Sequence, residues 1–209
     1  MKIYFHYSSN GFSNGYLVGN EKTGEAVMID PGTMNEKLLA HIEKNRYNLT
    51  ALLITHNHES HHQGLETMLR VFSPKVYAAD AELKGVKTML LQGDGTFVAA
   101  GFPIRYYATP GHSPDSLMYQ IEDVIFCGDA LSAGRIGTTN NMYGRRNLVI
   151  HLRNKMLSQN DDIILMPGHG PPSTIGAERL FNYELMQNET ESPENMRSDF
   201  LVTGINPYI

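Results

Sequence analysis

Four histidines, His56, His58, His61 and His62, lie close together after an apolar, strand-like segment at residues 49–55. In an extended backbone, His56 and His58 point to the same side because successive side chains alternate across a strand. His61 falls in the predicted first turn of a helix and can close over the same pocket. Since imidazole is the commonest neutral nitrogen ligand of zinc, iron and related ions, this spacing predicts a metal site.

Three later segments each place one more metal-binding side chain at the end of an apolar run. They supply His112, Asp129 and His169, and each of these residues directly follows a glycine. Because α/β folds commonly carry their chemistry at the carboxyl ends of strands, we expect these side chains to meet the histidine run. Three imidazoles with a carboxylate or a water are sufficient for a four-coordinate zinc ion.

Taken in order, these segments resemble the metallo-β-lactamase superfamily, whose pattern is T-H-x-H-x-D-H, then G-H, then G-D, then G-H. The similarity extends from the first predicted strand to about Phe181. Within the superfamily, residues 109–117, 128–138 and 167–179 look most like the small hydroxyacylglutathione hydrolase (glyoxalase II)-like group. The resemblance implies an α/β fold, the four-layer αββα sandwich, with a metal site along the shared edge of its two sheets.

The resemblance also implies a distribution of ligands over two metal sites. It assigns the first metal to His56, His58 and His112, the bridging position to Asp129, and the second metal to His61 and His169. It implies a metal-dependent hydrolase, acting on thioesters or related acyl esters by attack of a metal-bound hydroxide. In such a dinuclear site the two cations lower the pKa of the hydroxide and stabilise the oxyanion.

Ser60 departs from the family pattern, because it stands where the family carries an aspartate. A neutral hydroxyl is a poor replacement for a carboxylate toward a divalent cation. We therefore predict one firm zinc site and a second site that is weak or empty, with Asp129 and Ser60 as the positions that govern catalysis. Glu59 is predicted to point about 100° away on a helix and not to replace the missing charge. His62 is predicted to lie outside the ligand set.

Two alternatives remain open at this point. In the first, His56, His112 and Asp129 hold a single ferrous iron, as the resemblance to the persulfide dioxygenases of the same superfamily implies. In the second, the chain is a degenerate member that binds metal without turnover, which Ser60 would allow. The first alternative predicts iron and oxygen uptake, and the second predicts metal without either activity.

The region that binds substrate is the least specified by the sequence. Only forty residues follow His169, so we expect no dedicated glutathione-binding domain. Residues 134–137 and 143–146 follow Asp129 and are predicted to line the mouth of the pocket. Among them, Tyr143, Arg145 and Arg146 are predicted to bind substrate, with arginine pairing a carboxylate.

Composition restricts the class of partner. The chain has 209 residues, a formal charge of −5 and a pI near 6.0, which argues against a nonspecific nucleic-acid binder. The N-terminus lacks an apolar signal-peptide stretch, and no window is long enough to span a bilayer. The single cysteine, Cys127, is typical of a reducing compartment. We therefore expect a cytoplasmic protein with a small-molecule substrate, and contact with neither nucleic acid nor membrane.

The elements that must position these side chains begin with short β-rich runs at residues 2–7, 16–19 and 26–30, which predict an antiparallel meander. Thr33 and Glu36 have capping-box spacing and predict a helix that ends near Asn45. Further on, alternating strands with Gly and Pro breaks predict a second sheet over residues 75–126.

Helical apolar stripes follow in the last third of the chain. They are formed by Leu148, Leu152 and Met156, and by Ala177, Leu180 and Phe181. Residues 1–187 are predicted to form one metallo-β-lactamase-like domain. Residues 188–209 are predicted to be an acidic linker and a tail that packs on this domain or on a partner subunit in a homodimer.

Overall fold

The computed structural model describes residues 1–186. Their strands are β1 (Lys2–Ser8), β2 (Ser13–Gly19), β3 (Glu25–Ile29), β4 (Asn48–Leu53), β5 (Lys75–Ala78), β6 (Glu82–Leu83), β7 (Val86–Lys87), β8 (Met89–Leu90), β9 (Gly95–Ala99), β10 (Phe102–Ala108), β11 (Leu117–Ile121), β12 (Val124–Gly128), β13 (Leu131–Ser132), β14 (Arg135–Ile136), β15 (Ile164–Pro167) and β16 (Ser173–Thr174). Their helices are α1 (Glu36–Lys44), α2 (Glu59–His62), α3 (Leu65–Phe72), α4 (Met142–His151), α5 (Ile175–Phe181) and α6 (Tyr183–Met186), and a π-helix at Leu152–Met156 continues α4.

The first sheet has the strand order β1-β2-β3-β4-β5-β8. Its strands β1, β2 and β3 are antiparallel neighbours, which confirms the predicted opening meander. Strands β3, β4 and β5 run parallel, so their carboxyl ends share one edge of the sheet. At this edge the Asp30 N–H donates to the Leu53 carbonyl at 3.0 Å, which places Asp30 beside the start of the histidine run.

The second sheet has the strand order β16-β15-β12-β11-β10-β9. Strands β12 and β15 are parallel, and Gly128 pairs with Pro167 at their carboxyl ends. The segments that carry Asp129 and His169 therefore leave the sheet side by side. The prediction that the second sheet begins near residue 75 was wrong, because β5 and β8 belong to the first sheet. The chain returns through α3 after β4, so β5 pairs in parallel with β4.

Three hydrophobic clusters separate four layers. The cluster between the two sheets includes Tyr16, Val18, Tyr119 and Phe126. The cluster under the helices of the first sheet includes Leu38, Ile42, Leu65 and Met68. The cluster under the helices of the second sheet includes Leu148, Leu152, Met156 and Ile175. Helices thus cover the outer face of each sheet, which confirms the predicted αββα sandwich.

The N-cap of helix α1 lies two residues after the predicted cap. The Asn35 side chain accepts a hydrogen bond from the Leu38 N–H at 3.0 Å, so Asn35 is the N-cap and the assignment to Thr33 was wrong. Thr33 instead pairs its hydroxyl with that of Ser8 at 2.8 Å. The predicted end is confirmed, since Asn45 is the C-cap.

Helix α5 forms where the sequence predicts the last helix, but its inward face is different. Leu180 and Phe181 are 65% and 77% exposed, so the predicted apolar stripe is not the inward face of the helix. The helix instead buries Ile175 and Glu178, and Thr174 caps its first turn. Glu178 can be buried because its carboxylate accepts hydrogen bonds inside the protein, from the Gly134 N–H and from the Asn182 amide.

Cys127 lies on β12 with only 1% of its surface exposed, and burial raises the pKa of its thiol. Both effects suppress the reactive thiolate. We expect the native protein to react with a disulfide reagent at pH 8 at least about 100-fold more slowly than the protein unfolded in guanidinium, because labelling requires opening of the core. Thiol titration in the two conditions checks this, and complete labelling of the native protein within minutes would contradict it.

The predicted linker and tail at residues 188–209, and the domain boundary beside them, lie outside the described residues and stay predictions. Between residues 1 and 186, no helix is both long enough and apolar enough to cross a membrane.

Candidate metal centre

The histidine run lies directly beyond the carboxyl end of β4. His58 has extended backbone and is the N-cap of the short helix α2, so His56 and His58 precede the helix while His61 lies in its single turn. The structure therefore has the strand, turn and helix that the spacing predicts. His56 and His61 are buried, whereas His58 lies at the surface.

The first cluster consists of His56, His58, His112 and Asp129, whose ligand atoms all lie within 4.8 Å of one another. His58 Nδ1 is 2.9 Å from His56 Nε2 and 3.1 Å from His112 Nε2. Asp129 Oδ2 is 3.8 Å from His56 Nε2 and 3.7 Å from His112 Nε2. Donors in a tetrahedral zinc site are about 3.3 Å apart when each bond is about 2.0–2.1 Å long. These four distances lie within about 0.5 Å of that spacing, so the cluster fits a tetrahedral cation.

The second cluster consists of His61, Asp129 and His169. Asp129 Oδ1 is 3.5 Å from His61 Nε2, and Asp129 Oδ2 is 3.5 Å from His169 Nε2. His61 Nε2 and Asp129 Oδ1 are both buried without a hydrogen-bond partner. Because buried polar atoms are normally satisfied, these two orphaned atoms fit a cation held between them. Among residues 1–186, three metal ligands meet here, against four in the first cluster.

Gly168 allows the two clusters to come together. A Cβ atom at this position would collide with Asp129 Oδ1 and with the His61 ring. The Gly168 N–H also donates to the Gly128 carbonyl at 2.8 Å. Position 168 therefore requires glycine, because the backbone passes too close to the Asp129 carboxylate to leave room for a side chain.

Carbonyl groups fix the orientation of two of the imidazoles. His112 Nδ1 is 2.7 Å from the Thr138 carbonyl, and His169 Nδ1 is 2.9 Å from the Phe12 carbonyl. A carbonyl oxygen can only accept, so both Nδ1 atoms carry the proton. Each Nε2 atom therefore presents a lone pair toward Asp129 and the cluster, as a metal ligand must.

Asp30 fixes two more of the imidazoles, His61 directly and His56 through Thr55. Its Oδ2 accepts from the Thr55 hydroxyl at 2.6 Å and from His61 Nδ1 at 3.0 Å. Since the Thr55 hydroxyl proton is used on Asp30, its oxygen accepts from His56 Nδ1 at 3.0 Å. His56 and His61 therefore also present lone pairs at Nε2.

These lone pairs leave His58 Nδ1 with two close acceptors, His56 Nε2 and His112 Nε2. A single proton on Nδ1 can satisfy only one of them. A cation among the three nitrogens satisfies all of them at once, which is a second indication that the first cluster is built for metal.

The charges of the cluster are consistent with this arrangement. Burial, together with the neighbouring imidazoles, lowers the pKa of His56 to about 3, so this ring is neutral at physiological pH. Burial acts against ionisation of Asp129, but His61 and the other imidazoles outweigh it and lower its pKa to about 2. Burial lowers the pKa of His61 as well, yet the carboxylates of Asp30 and Asp129 prevail and raise it to about 10. A proton and a metal ion thus compete for His61.

Asp30 is a functional position that our sequence reasoning missed, since it was assigned only to the end of a strand. The available signal was an acidic residue directly after a fully apolar strand, followed by Pro and Gly. Asp30 is 2% exposed and has a positive φ of 45°. Both the burial of its charge and its left-handed backbone are unusual for an aspartate and indicate a specific role.

Asn14 was missed as well. Its backbone N–H donates to the Gly168 carbonyl at 2.7 Å, and its side chain donates to the carbonyls of Pro167 and Gly170 at 3.1 and 2.7 Å. Tyr16 adds a hydrogen bond from its hydroxyl to the Pro167 carbonyl at 2.7 Å. Strand β2 of the first sheet thereby holds the loop that carries His169.

Three residues of the histidine run, Glu59, Ser60 and His62, lie beside the metal ligands His58 and His61 in the chain. The Glu59 carboxylate is exposed and pairs with Lys84 Nζ at 2.9 Å, so it is directed away from the second cluster. His62 is buried and donates from Nε2 to Asn57 Oδ1 at 2.9 Å, outside both clusters. Ser60 is partly buried, and its carbonyl accepts from the Ser13 hydroxyl at 2.6 Å. No carboxylate therefore takes the place of the family aspartate among the described residues.

A cavity of about 320 Å³ opens beside the clusters. It is lined by His112, Asp129, Leu131, Ser132, Arg135, Ile136, Gly137, Thr138 and His169. The predicted substrate-binding residues Tyr143, Arg145 and Arg146 are not in this lining. Arg145 Nη1 instead pairs with Glu184 Oε1 at 2.5 Å, and Tyr143 is 80% exposed. The arginine that faces the cavity is Arg135.

Residues 9–169 match the family model described as the metallo-beta-lactamase superfamily. A protein of Treponema pallidum is 32% identical over 182 residues, covering 86% of this chain and 97% of its own. Hydroxyacylglutathione hydrolase GloC of Haemophilus influenzae is 30% identical over 181 residues, covering 75% of this chain and 85% of its own. The crystal structure of BLEG-1 B3 metallo-beta-lactamase superposes with a TM-score of 0.78 at 28% identity, covering 89% of this chain and all of that one. With its αββα layers, its converging histidines and a family match over most of its length, the chain belongs to the metallo-beta-lactamase superfamily of metallo-hydrolases.

Proposed function

We propose that this protein hydrolyses thioesters or related acyl esters, with zinc at the first cluster. The observation that carries the proposal is the convergence of three imidazole nitrogens and the Asp129 carboxylate within 4.8 Å of one another, with distances of 2.9–3.8 Å from His58 to the other two imidazoles and from Asp129 to His56 and His112. The likeness to a hydroxyacylglutathione hydrolase of Haemophilus influenzae supports the thioester as the reacting group. Four converging donors favour tetrahedral zinc over the three-donor face that a ferrous oxygenase needs.

When bound here, a divalent cation supplies a hydroxide at neutral pH and stabilises negative charge on the attacked carbonyl. The protein's own groups prepare the site for this role. Asp129 contributes a permanent negative charge to both clusters, because its pKa of about 2 keeps it ionised. Thr138, Phe12 and Asp30 hold the His112, His169 and His61 rings with their lone pairs inward.

The position of the cavity supports one direction of substrate entry. His112, Asp129 and His169 form one of its walls, so a carbonyl that enters the cavity reaches the exposed side of both clusters. The opposite side is closed, since His56 and His61 are 2% and 0% exposed. We therefore place the reacting carbonyl at the wall formed by these three donors and the rest of the substrate along Leu131, Ile136 and Thr138.

Purified protein tests the proposal. We expect about one equivalent of zinc per chain and hydrolysis of a hydroxyacyl thioester of glutathione, followed as thiol release. Chelation should abolish this activity and added zinc should restore it. A β-lactam serves as a comparison substrate because of the likeness to BLEG-1. Bound iron with oxygen uptake on a persulfide, or bound metal without any turnover, would each overturn the proposal.

Ser60→Asp tests our account of the second cluster. The new carboxylate adds an anionic ligand to the three that the described part of the chain supplies, so we expect the affinity for a second zinc ion to rise about tenfold or more. Titration of metal-depleted protein in competition with a chromophoric chelator measures this. Ser60→Asn is the matched control, since asparagine has the same size as aspartate but carries no charge. Two equally tight ions in the unmodified protein, or no change on adding the carboxylate, would show that Ser60 does not weaken this cluster.

A further inference from the structure

One wall of the cavity is a short hairpin formed by β13 and β14. Leu131 pairs with Ile136 and Ser132 pairs with Arg135 across it. Leu131 and Ile136 are 1% and 8% exposed, so this pair anchors the hairpin to the core. Because side chains alternate along a strand, Arg135 lies on the opposite face from Ile136 and is exposed.

Two carboxylates from the following helices fix this hairpin in place. Glu178 accepts from the Gly134 N–H at 3.0 Å, and Glu184 accepts from the Ile136 N–H at 2.9 Å. The two N–H groups belong to the residues directly before and after Arg135 in the chain. Glu184 also pairs with Arg145, so this second arginine serves to hold the hairpin and is not free for substrate.

Gly137 brings the hairpin close to the metal ligands. A Cβ atom at this position would collide with the Asp129 backbone carbonyl, and the Gly137 N–H donates to the Ala130 carbonyl at 3.0 Å. The residues that follow Arg135 therefore run directly against the segment that carries Asp129. This close approach places the Arg135 side chain and the ligands His112, Asp129 and His169 around the same cavity.

Arg135 is the only permanently cationic side chain in the cavity lining, and it forms no ion pair with any residue between 1 and 186. The other titratable groups of the lining, His112, Asp129 and His169, belong to the metal clusters. A guanidinium that is held by its backbone and pairs with no carboxylate of that part of the chain is suited to pair with a carboxylate of the substrate.

We propose that Arg135 selects substrates that carry a carboxylate remote from the scissile carbonyl. This inference rests on the proposed acyl-ester hydrolysis and adds the class of substrate to it. Leu131 and Ile136 also line this cavity, so we take the part of the substrate between its two polar ends to be apolar or aliphatic. The favoured substrate is a thioester with a carboxylate at the end of a short chain.

Three thioesters of equal length test this. The hexanoyl thioester of 1-propanethiol is neutral, the adipoyl thioester of the same thiol has a carboxylate on the acyl side, and the hexanoyl thioester of 3-mercaptopropionate has one on the thiol side. We expect kcat/KM for one of the two acids to exceed that of the neutral ester by about tenfold, the worth of a charge-assisted hydrogen bond. Arg135→Gln should bring this ratio close to one, and Arg135→Lys should restore part of it.

Arg70→Gln is the matched control, because Arg70 is an exposed arginine of α3 outside the cavity. An unchanged ratio in Arg135→Gln, or a preference of the unmodified protein for the neutral ester, would overturn the assignment of Arg135. If neither these three esters nor the hydroxyacyl thioester of glutathione is cleaved, the proposed function fails, and calorimetric binding to the zinc-loaded protein still tests Arg135. Adipate should then bind about tenfold more tightly than hexanoate, and Arg135→Gln should remove the difference. The same difference in affinity between adipate and hexanoate in the unmodified protein and in Arg135→Gln would contradict the assignment.

Discussion

Asp129→Asn is expected to remove tightly bound metal and to lower kcat/KM for thioester hydrolysis by more than about 100-fold, since loss of groups that merely orient metal ligands already costs about 10- to 100-fold. Asp129 is the residue that both clusters share, and its carboxylate lies 3.5–3.8 Å from His56, His112, His61 and His169. Asparagine has nearly the same shape but supplies no negative charge to offset a divalent cation. Elemental analysis after dialysis and thiol-release kinetics measure the two losses.

Asp123→Asn is the matched control for this variant. Asp123 is an exposed aspartate immediately before β12, the strand that leads to Asp129, and the substitution makes the same change in net charge. Metal content and activity should then equal those of the unmodified protein. An Asp129→Asn protein that keeps a full equivalent of zinc would show that the imidazoles alone hold the metal.

Asp30→Asn is expected to destabilise the fold by about 3–5 kcal/mol, the usual result of removing one partner from a buried ion pair. The Asp30 carboxylate accepts from the Thr55 N–H, the Thr55 hydroxyl and His61 Nδ1, at 2.8, 2.6 and 3.0 Å. An amide nitrogen in place of one carboxylate oxygen would face at least one of these donors with a donor of its own. Asparagine tolerates the positive φ of this position, so the effect reports on charge and hydrogen bonding and not on backbone strain.

Guanidinium unfolding of the metal-depleted protein measures this loss, and metal titration of the folded variant measures a second effect. Because Asp30 holds the His61 ring, we expect the second cluster to lose affinity for metal by about 10- to 100-fold. Asp162→Asn, an exposed aspartate before β15, is the control for net charge. A free energy of unfolding within about 1 kcal/mol of the unmodified protein would contradict the role of Asp30.

Much of the metal centre could be predicted from local spacing. His56, His58 and His61 follow an apolar strand at intervals that a turn into a helix brings to one side, and the structure has that geometry. Asp129 and His169 follow the ends of two strands, β12 and β15, that are parallel neighbours. The family pattern supplied the αββα architecture, which no periodicity specifies on its own. Each of these motifs occupies only a few residues of the chain, so residue type and spacing are sufficient to predict it.

What could not be predicted depends on contacts between residues far apart in the chain. Asp30 acts through His61, which is 31 residues away, and Asn14 acts through Pro167, which is 153 residues away. The inward face of α5 was misassigned for the same reason, because the donors that bury Glu178 include the Gly134 N–H, 44 residues earlier.

The choice among the arginines shows the physical reason most clearly. Arg135, Arg145 and Arg146 carry the same charge within a dozen positions of one another, and nothing in their local sequence ranks them. Folding brings Glu184 to Arg145, whereas Arg135 is left facing the cavity beside Asp129. A cation's role depends on which carboxylate reaches it, and that is settled by how distant helices and strands pack.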